Sequence, residues 1–153
     1  MAMRWSSSER RRHAPGAAAL LLAACVTTVT RSFVPSPRNP RYTTATAAPV
    51  LAEYVRLQCP GFRQAQRPDS GTARLAVDAD SAGVATRSEL VRGTGDEMLD
   101  GVFGTVAAQL TFPRDTGEAA PRIPARGGRI PVDIAWRCVG DRAVVRLRPA
   151  PER

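Results

Sequence analysis

Hydrophobic and polar residues alternate in four stretches of the chain, and this period of two predicts β-strands. Two of the stretches, Thr72–Asp78 and Val84–Val91, are separated by a short Gly-containing turn, which predicts a hairpin. Two more, Ile130–Cys138 and Ala143–Arg148, flank the turn dipeptide Gly140-Asp141. The second half of the chain is therefore expected to form an antiparallel sheet.

Between the second and third strands the period changes to that of a helix. Thr94 fits an N-cap, and Glu97 three residues later completes a capping box. Phe112-Pro113 is expected to end the helix. The apolar residues of its single stripe are Met98, Leu99, Val102, Phe103, Val106 and Leu110.

The order strand, strand, helix, strand, strand predicts an α+β fold. One helix would pack on one face of a small antiparallel sheet, because each apolar face needs the other to cover it. The stretch Leu51–Leu57 fits either a helix or a strand. As a strand beside Ile130–Cys138, it would cover an edge of the sheet.

The start of the chain has the pattern of an export signal. Arg10, Arg11 and Arg12 form a basic region, and the apolar run Ala17–Ala24 that follows is too short to span a membrane. The run ends in Leu22-Ala23-Ala24-Cys25, which resembles the lipobox of bacterial lipoproteins. The resemblance implies that Cys25 is diacylated, that residues 1–24 are removed, and that the chain is anchored to a membrane by lipid.

Two other interpretations of this leader stay open. Cys25 could be an ordinary residue of a signal peptide without lipidation, which would leave the protein free in the periplasm. The stretch Arg31-Ser32-Phe33-Val34-Pro35 resembles a motif of algal plastid leaders. Within the lipoprotein interpretation, Val26 rather than Asp after the Cys implies sorting to the periplasmic face of the outer membrane.

These patterns divide the chain into three parts. Residues 1–24 form the signal peptide, and residues 25–50 form the lipidated Cys and a disordered linker rich in Thr and Pro. Residues 51–150 form the α+β domain.

The formal net charge of +8 raises the question of a nucleic-acid partner. All 22 basic residues are Arg; seven of them and one acid lie in residues 1–50, which leaves fifteen Arg and thirteen acids for residues 51–153. The domain is thus nearly balanced in charge. A face that follows a phosphate backbone is not expected, so we predict no nucleic-acid partner.

Cysteine and histidine limit the chemistry. Cys59 and Cys138 remain after Cys25, and an even pair in an oxidising compartment predicts a disulfide; two buried free thiols are the alternative. His13, in the leader, is the only His. Catalytic Ser-His-Asp or Cys-His sets and His-based metal sites are then excluded in the mature chain, and we expect no enzyme activity, cofactor or metal.

One acidic turn imitates a calcium loop. Asp78, Asp80 and Glu89 fall at positions 1, 3 and 12, and Gly83 at position 6. Position 5 is Ala82, which has no side-chain oxygen. A hairpin turn explains the same residues, and the sequence favours that interpretation.

The order of elements and several short motifs resemble the C-terminal domain of TonB-type proteins. The match runs from Gly71 to Cys138, 68 of 153 residues. The residues that carry it are Val77-Asp78, Gly83, Val91-Arg92, Gly95-Asp96, Leu99-Asp100, Phe112-Pro113 and Ile130–Trp136.

The resemblance implies a protein partner in the cell envelope, such as a TonB-dependent receptor, bound by strand addition at a sheet edge. The candidate edge residues are Ile130, Val132, Ile134 and Trp136. The sequence departs from the family in showing no spanning anchor and no long Pro-rich spacer. A binding lipoprotein is therefore the first hypothesis; an energy-transducing protein of transport and a structural envelope lipoprotein are the alternatives. The oligomeric state is not predicted.

Overall fold

A computed structural model describes residues 30–113 and 127–149. The described part contains seven elements in the following order: β1 (Ser32–Phe33), α1 (Thr44–Gln64), β2 (Ser70–Ala79), β3 (Ala85–Arg92), α2 (Glu97–Ala107), β4 (Gly128–Val139) and β5 (Arg142–Pro149). The predicted signal peptide and Cys25 lie outside these residues. None of the helices in the two described ranges has the length and apolar character needed to cross a membrane.

The α+β class is confirmed. The strands form one open antiparallel sheet in the order β1-β3-β2-β4-β5. Both predicted hairpins, β2–β3 and β4–β5, are present. β2 and β4 pair along ten residues, from Ser70 opposite Arg137 to Ala79 opposite Gly128, and form the centre of the sheet.

Both helices cover the same face of the sheet. Burial alternates along β4, so that its even-numbered residues from Ile130 to Cys138 face the helices while the odd-numbered residues face away. Val77 of β2 lies opposite Ile130 and belongs to the same apolar layer. The helices add Leu51 and Phe103, each fully buried. The core is a single layer between the helices and this face.

The helix α1 begins at Thr44 and β1 spans Ser32–Phe33, both inside the segment predicted to be a disordered linker, so that prediction is wrong for these two elements. Thr43 caps the helix: its side chain accepts a hydrogen bond from the backbone N–H of Thr46. Pro49 and Pro60 each remove one backbone hydrogen bond, yet the helix continues through both. Burial of one face of α1 outweighs these losses; that face consists of Ala47, Leu51, Val55, Cys59 and Phe62.

The helix α2 is shorter than predicted. Its N-cap is Asp96, whose carboxylate accepts from the N–H of Leu99, rather than Thr94. The backbone N–H and hydroxyl of Thr94 instead donate to the carboxylate of Asp100, at 2.6 and 2.8 Å. The helix ends at Ala107, well before Phe112-Pro113. The residues that follow leave the helix because Leu110 and Thr111 form isolated β-bridges with Tyr42 and Val84.

Candidate functional site

The four predicted edge residues lie in the core. Ile130, Val132, Ile134 and Trp136 are each at most 5% exposed. Their strand, β4, pairs with β2 on one side and with β5 on the other. The backbone of β4 is therefore occupied on both sides, and these residues do not form an edge.

The long edge of the sheet is β5. Its eight residues pair with β4 from Val139 opposite Arg142 to Val132 opposite Pro149. No other strand in residues 30–113 or 127–149 pairs with its outer side. The opposite edge is β1, which has only two residues. An incoming strand would find a longer run of unpaired N–H and C=O groups on β5 than on β1.

Arginines dominate the helix-free face beside this edge. Arg137, Arg142 and Arg146 are exposed, and their register with Val144, Val139 and Ala135 places them on the same face of β4 and β5. None of the three makes an ion pair with a residue of the described ranges. Two of them, Arg137 and Arg146, line a shallow depression of about 250 Å³ together with Ala135, Trp136 and Val144.

The acids of the same face are already paired with other arginines. Asp133 of β4 binds Arg74 of β2 through two hydrogen bonds of 2.7 and 2.8 Å, and this contact raises the pKa of the Arg74 guanidinium above its ordinary value. Glu89 forms ion pairs with Arg87 and Arg129. The positive charge at β5 is therefore not neutralised by these acids, and the edge favours a negatively charged partner.

The predicted disulfide is confirmed. The Sγ atoms of Cys59 in α1 and Cys138 in β4 are 2.06 Å apart, across 79 residues of sequence. Next to the bridge, the ring of Phe62 packs on Trp136 at a centroid distance of 5.3 Å. Arg63 donates to the carbonyl of Gly140 in the β4–β5 turn. These contacts hold the C-terminal half of α1 against β4 and the β4–β5 turn.

The acidic turn that imitates a calcium loop is a hairpin turn. The carboxylate of Asp80 accepts from the N–H groups of Ala82 and Val84, at 2.8 and 2.9 Å. Asp78 and Glu89 instead face Arg129. In the described part of the chain no three His, Cys, Asp or Glu side chains lie close enough together to hold a metal ion.

The sequence analysis did not single out the arginines of β5, although the alternation of apolar and polar residues in this strand indicated where they point. The alternation in β5 identifies Val145 and Leu147 as inward residues, and it therefore places Arg142, Arg146 and Arg148 on the outward face. The alternation does not show which strands are neighbours in the sheet. Only the pairing of β5 outside β4 turns these residues into edge residues.

No family model, curated protein or solved structure matches this chain. The interpretation of the site therefore comes from its own geometry. The resemblance to the TonB C-terminal domain stays a prediction from sequence.

Proposed function

We propose that the protein is a non-enzymatic envelope lipoprotein whose α+β domain binds a protein partner by strand addition to β5. The observation that carries the proposal is that no strand of the described ranges pairs with the outer side of this eight-residue strand. A partner segment that pairs there gains main-chain hydrogen bonds along its length, while its alternate side chains provide specificity.

The charges around β5 define the chemistry of that segment. Arg142 and Arg146 lie four residues apart on one face of β5, with Val144 between them on that face. Arg137 lies opposite Val144 on the neighbouring strand β4. Acidic side chains at alternating positions of the incoming strand would form cross-strand pairs with these arginines. The same arginines would repel the β5 edge of another copy of the chain, which disfavours edge-to-edge aggregation.

The proposed location is the periplasmic face of the outer membrane, with the chain anchored through Cys25. The disulfide between Cys59 and Cys138 supports an oxidising compartment, because such bonds are rarely retained in a reducing cytosol. The leader and lipobox support export and lipidation from sequence alone. Free periplasmic and plastid locations are the alternatives that fractionation would distinguish.

The test is site-specific photocrosslinking in the native host, with the full chain carrying a photoreactive residue at Val144 in β5. We expect one acidic partner to crosslink. In the variant Arg142→Glu/Arg146→Glu, the crosslink should be lost. The matched control Arg38→Glu/Arg92→Glu changes net charge equally at exposed residues away from β5, and it should retain the crosslink.

Three results would decide against parts of the proposal. Equal loss of the crosslink in both double variants would show that net charge, rather than the β5 edge, controls binding. Absence of any crosslink from β5 would exclude strand addition there. A Cys25→Ala chain that fractionates with membranes like the unchanged protein would exclude the lipid anchor.

A further inference from the structure

A second surface, formed between the helices, has the features of a small-molecule site. The groove has a volume of about 390 Å³, within the range of ligand pockets in proteins. None of its lining residues belongs to β4 or β5, so it is separate from the proposed edge site. Most of the lining is apolar or aromatic: Pro40, Tyr42, Val50, Tyr54, Met98, Val102 and Val106.

One buried polar side chain in this lining has an unused hydrogen-bond acceptor. Gln109 is 1% exposed, and its Nε2 donates to the backbone carbonyl of Ser36 at 3.1 Å. A carbonyl only accepts hydrogen bonds, so the group of the Gln109 amide that faces Ser36 must be the NH₂ group and not the oxygen. The other end, Oε1, is buried and has no partner within residues 30–113 and 127–149. An unpaired acceptor is costly, and a ligand that donates to it would recover that cost.

The rim of the groove adds two further constraints. Tyr54 and Met98 are 44% and 47% exposed, so a ligand in the groove would remove apolar surface from water. Among the described residues of the lining, Glu97 is the only one that is charged near neutral pH, and its carboxylate would repel an anion.

We propose that this groove binds an uncharged small molecule with an apolar body about the size of two fused rings and one N–H or O–H group. The apolar body contacts Val102, Val106 and the two tyrosines, and the polar hydrogen donates to Gln109 Oε1. The inference goes beyond partner binding at β5 and does not depend on it.

Three matched probes test the required chemistry on the purified, oxidised full chain. Naphthalen-2-ol has the apolar body and the donor, 2-methoxynaphthalene lacks the donor, and 2-naphthoate carries a negative charge. We expect saturable binding of naphthalen-2-ol, followed by its fluorescence, with a Kd of about 1 mM or below. The methoxy compound should bind about tenfold more weakly, since it cannot donate to the buried acceptor. The anion should also bind more weakly than the naphthol.

Two glycine substitutions locate the binding. Gly101 lines the groove, and a Cβ built there meets no atom within 4 Å, so Gly101→Leu should fill the groove without disturbing the helix. Gly61 in α1 is equally unobstructed and lies outside the groove, which makes Gly61→Leu the matched control. Naphthalen-2-ol binding should disappear in the first variant and persist in the second.

A third variant tests the acceptor itself. Gln109→Met should make naphthalen-2-ol and 2-methoxynaphthalene bind with equal affinity, with the amide NMR spectrum confirming that the chain remains folded. The proposal is overturned if no probe saturates, if Gly101→Leu binds naphthalen-2-ol as Gly61→Leu does, or if the methoxy compound binds the unchanged protein as tightly as the naphthol.

Discussion

Gly104 of α2 lies directly against the ring of Phe33 in β1, so the substitution Gly104→Ala probes how closely the helix approaches the sheet. A Cβ built at Gly104 would lie nearer than 3.0 Å to three atoms of that ring. A hydrogen bond also ties the helix to the sheet, because the buried hydroxyl of Ser88 in β3 donates to the Gly104 carbonyl at 2.7 Å. The added methyl group would therefore displace either the ring or the helix.

The magnitude follows from comparison with Gly101→Ala in the same helix. Both substitutions gain about 1 kcal/mol of helix propensity. At Gly101 a Cβ meets nothing within 4 Å, so that variant should be stabilised by about this amount. At Gly104 an overpacking cost of about 1–3 kcal/mol opposes the gain. The difference between the two variants isolates this packing cost, and we expect it to be about 2 kcal/mol.

Urea denaturation of the oxidised protein measures this difference, with equal m-values showing that only stability has changed. A thermal scan should separate the two variants by roughly 10 °C, since 1 kcal/mol shifts a domain of this size by about 4–8 °C. In a Phe33→Ala background the gap between the two alanine variants should close. Equal stability of Gly104→Ala and Gly101→Ala in the unchanged background would refute the close approach of α2 to β1.

Two further predictions concern the bridge and one surface ion pair. The variant Cys59→Ser/Cys138→Ser should lose about 4–5 kcal/mol of unfolding free energy in urea, because the bridge closes a long loop of the unfolded chain; an unchanged midpoint would contradict this. Arg56 donates two hydrogen bonds to Glu53 and lowers the pKa of that carboxyl below its ordinary value. The lowered pKa means that the pair stabilises the fold above the ordinary pKa of a glutamate and that this contribution is lost as the pH falls through the folded pKa. An NMR titration of Glu53 should show a midpoint below that of an ordinary glutamate, and the midpoint should return to the ordinary value in Arg56→Gln.

The sequence by itself determined the strands β2 to β5, the existence of α2 and the α+β class. Each of these elements buries one face, and burial of one face leaves a period of two or of 3.6 residues in the chain. The two hairpins were also predictable, since short turns with Gly fix antiparallel neighbours. The even number of cysteines after Cys25 indicated the bridge between Cys59 and Cys138, although it left free thiols open.

Only the tertiary structure decided where α1 begins, which strand is the long edge, and that a groove lies between the helices. The Thr- and Pro-rich sequence before Leu51 disfavours a helix locally. The helix α1 forms there because its apolar face is buried against the sheet. Periodicity reports which face of a strand is buried, but it carries no information about which strand lies next to it. The resemblance to the TonB C-terminal domain therefore supplied the predicted edge at Ile130, Val132, Ile134 and Trp136, whereas their strand is paired on both sides in the structure. Likewise, only the packed structure shows that Gln109 lines the groove and that its Oε1 has no partner among the described residues.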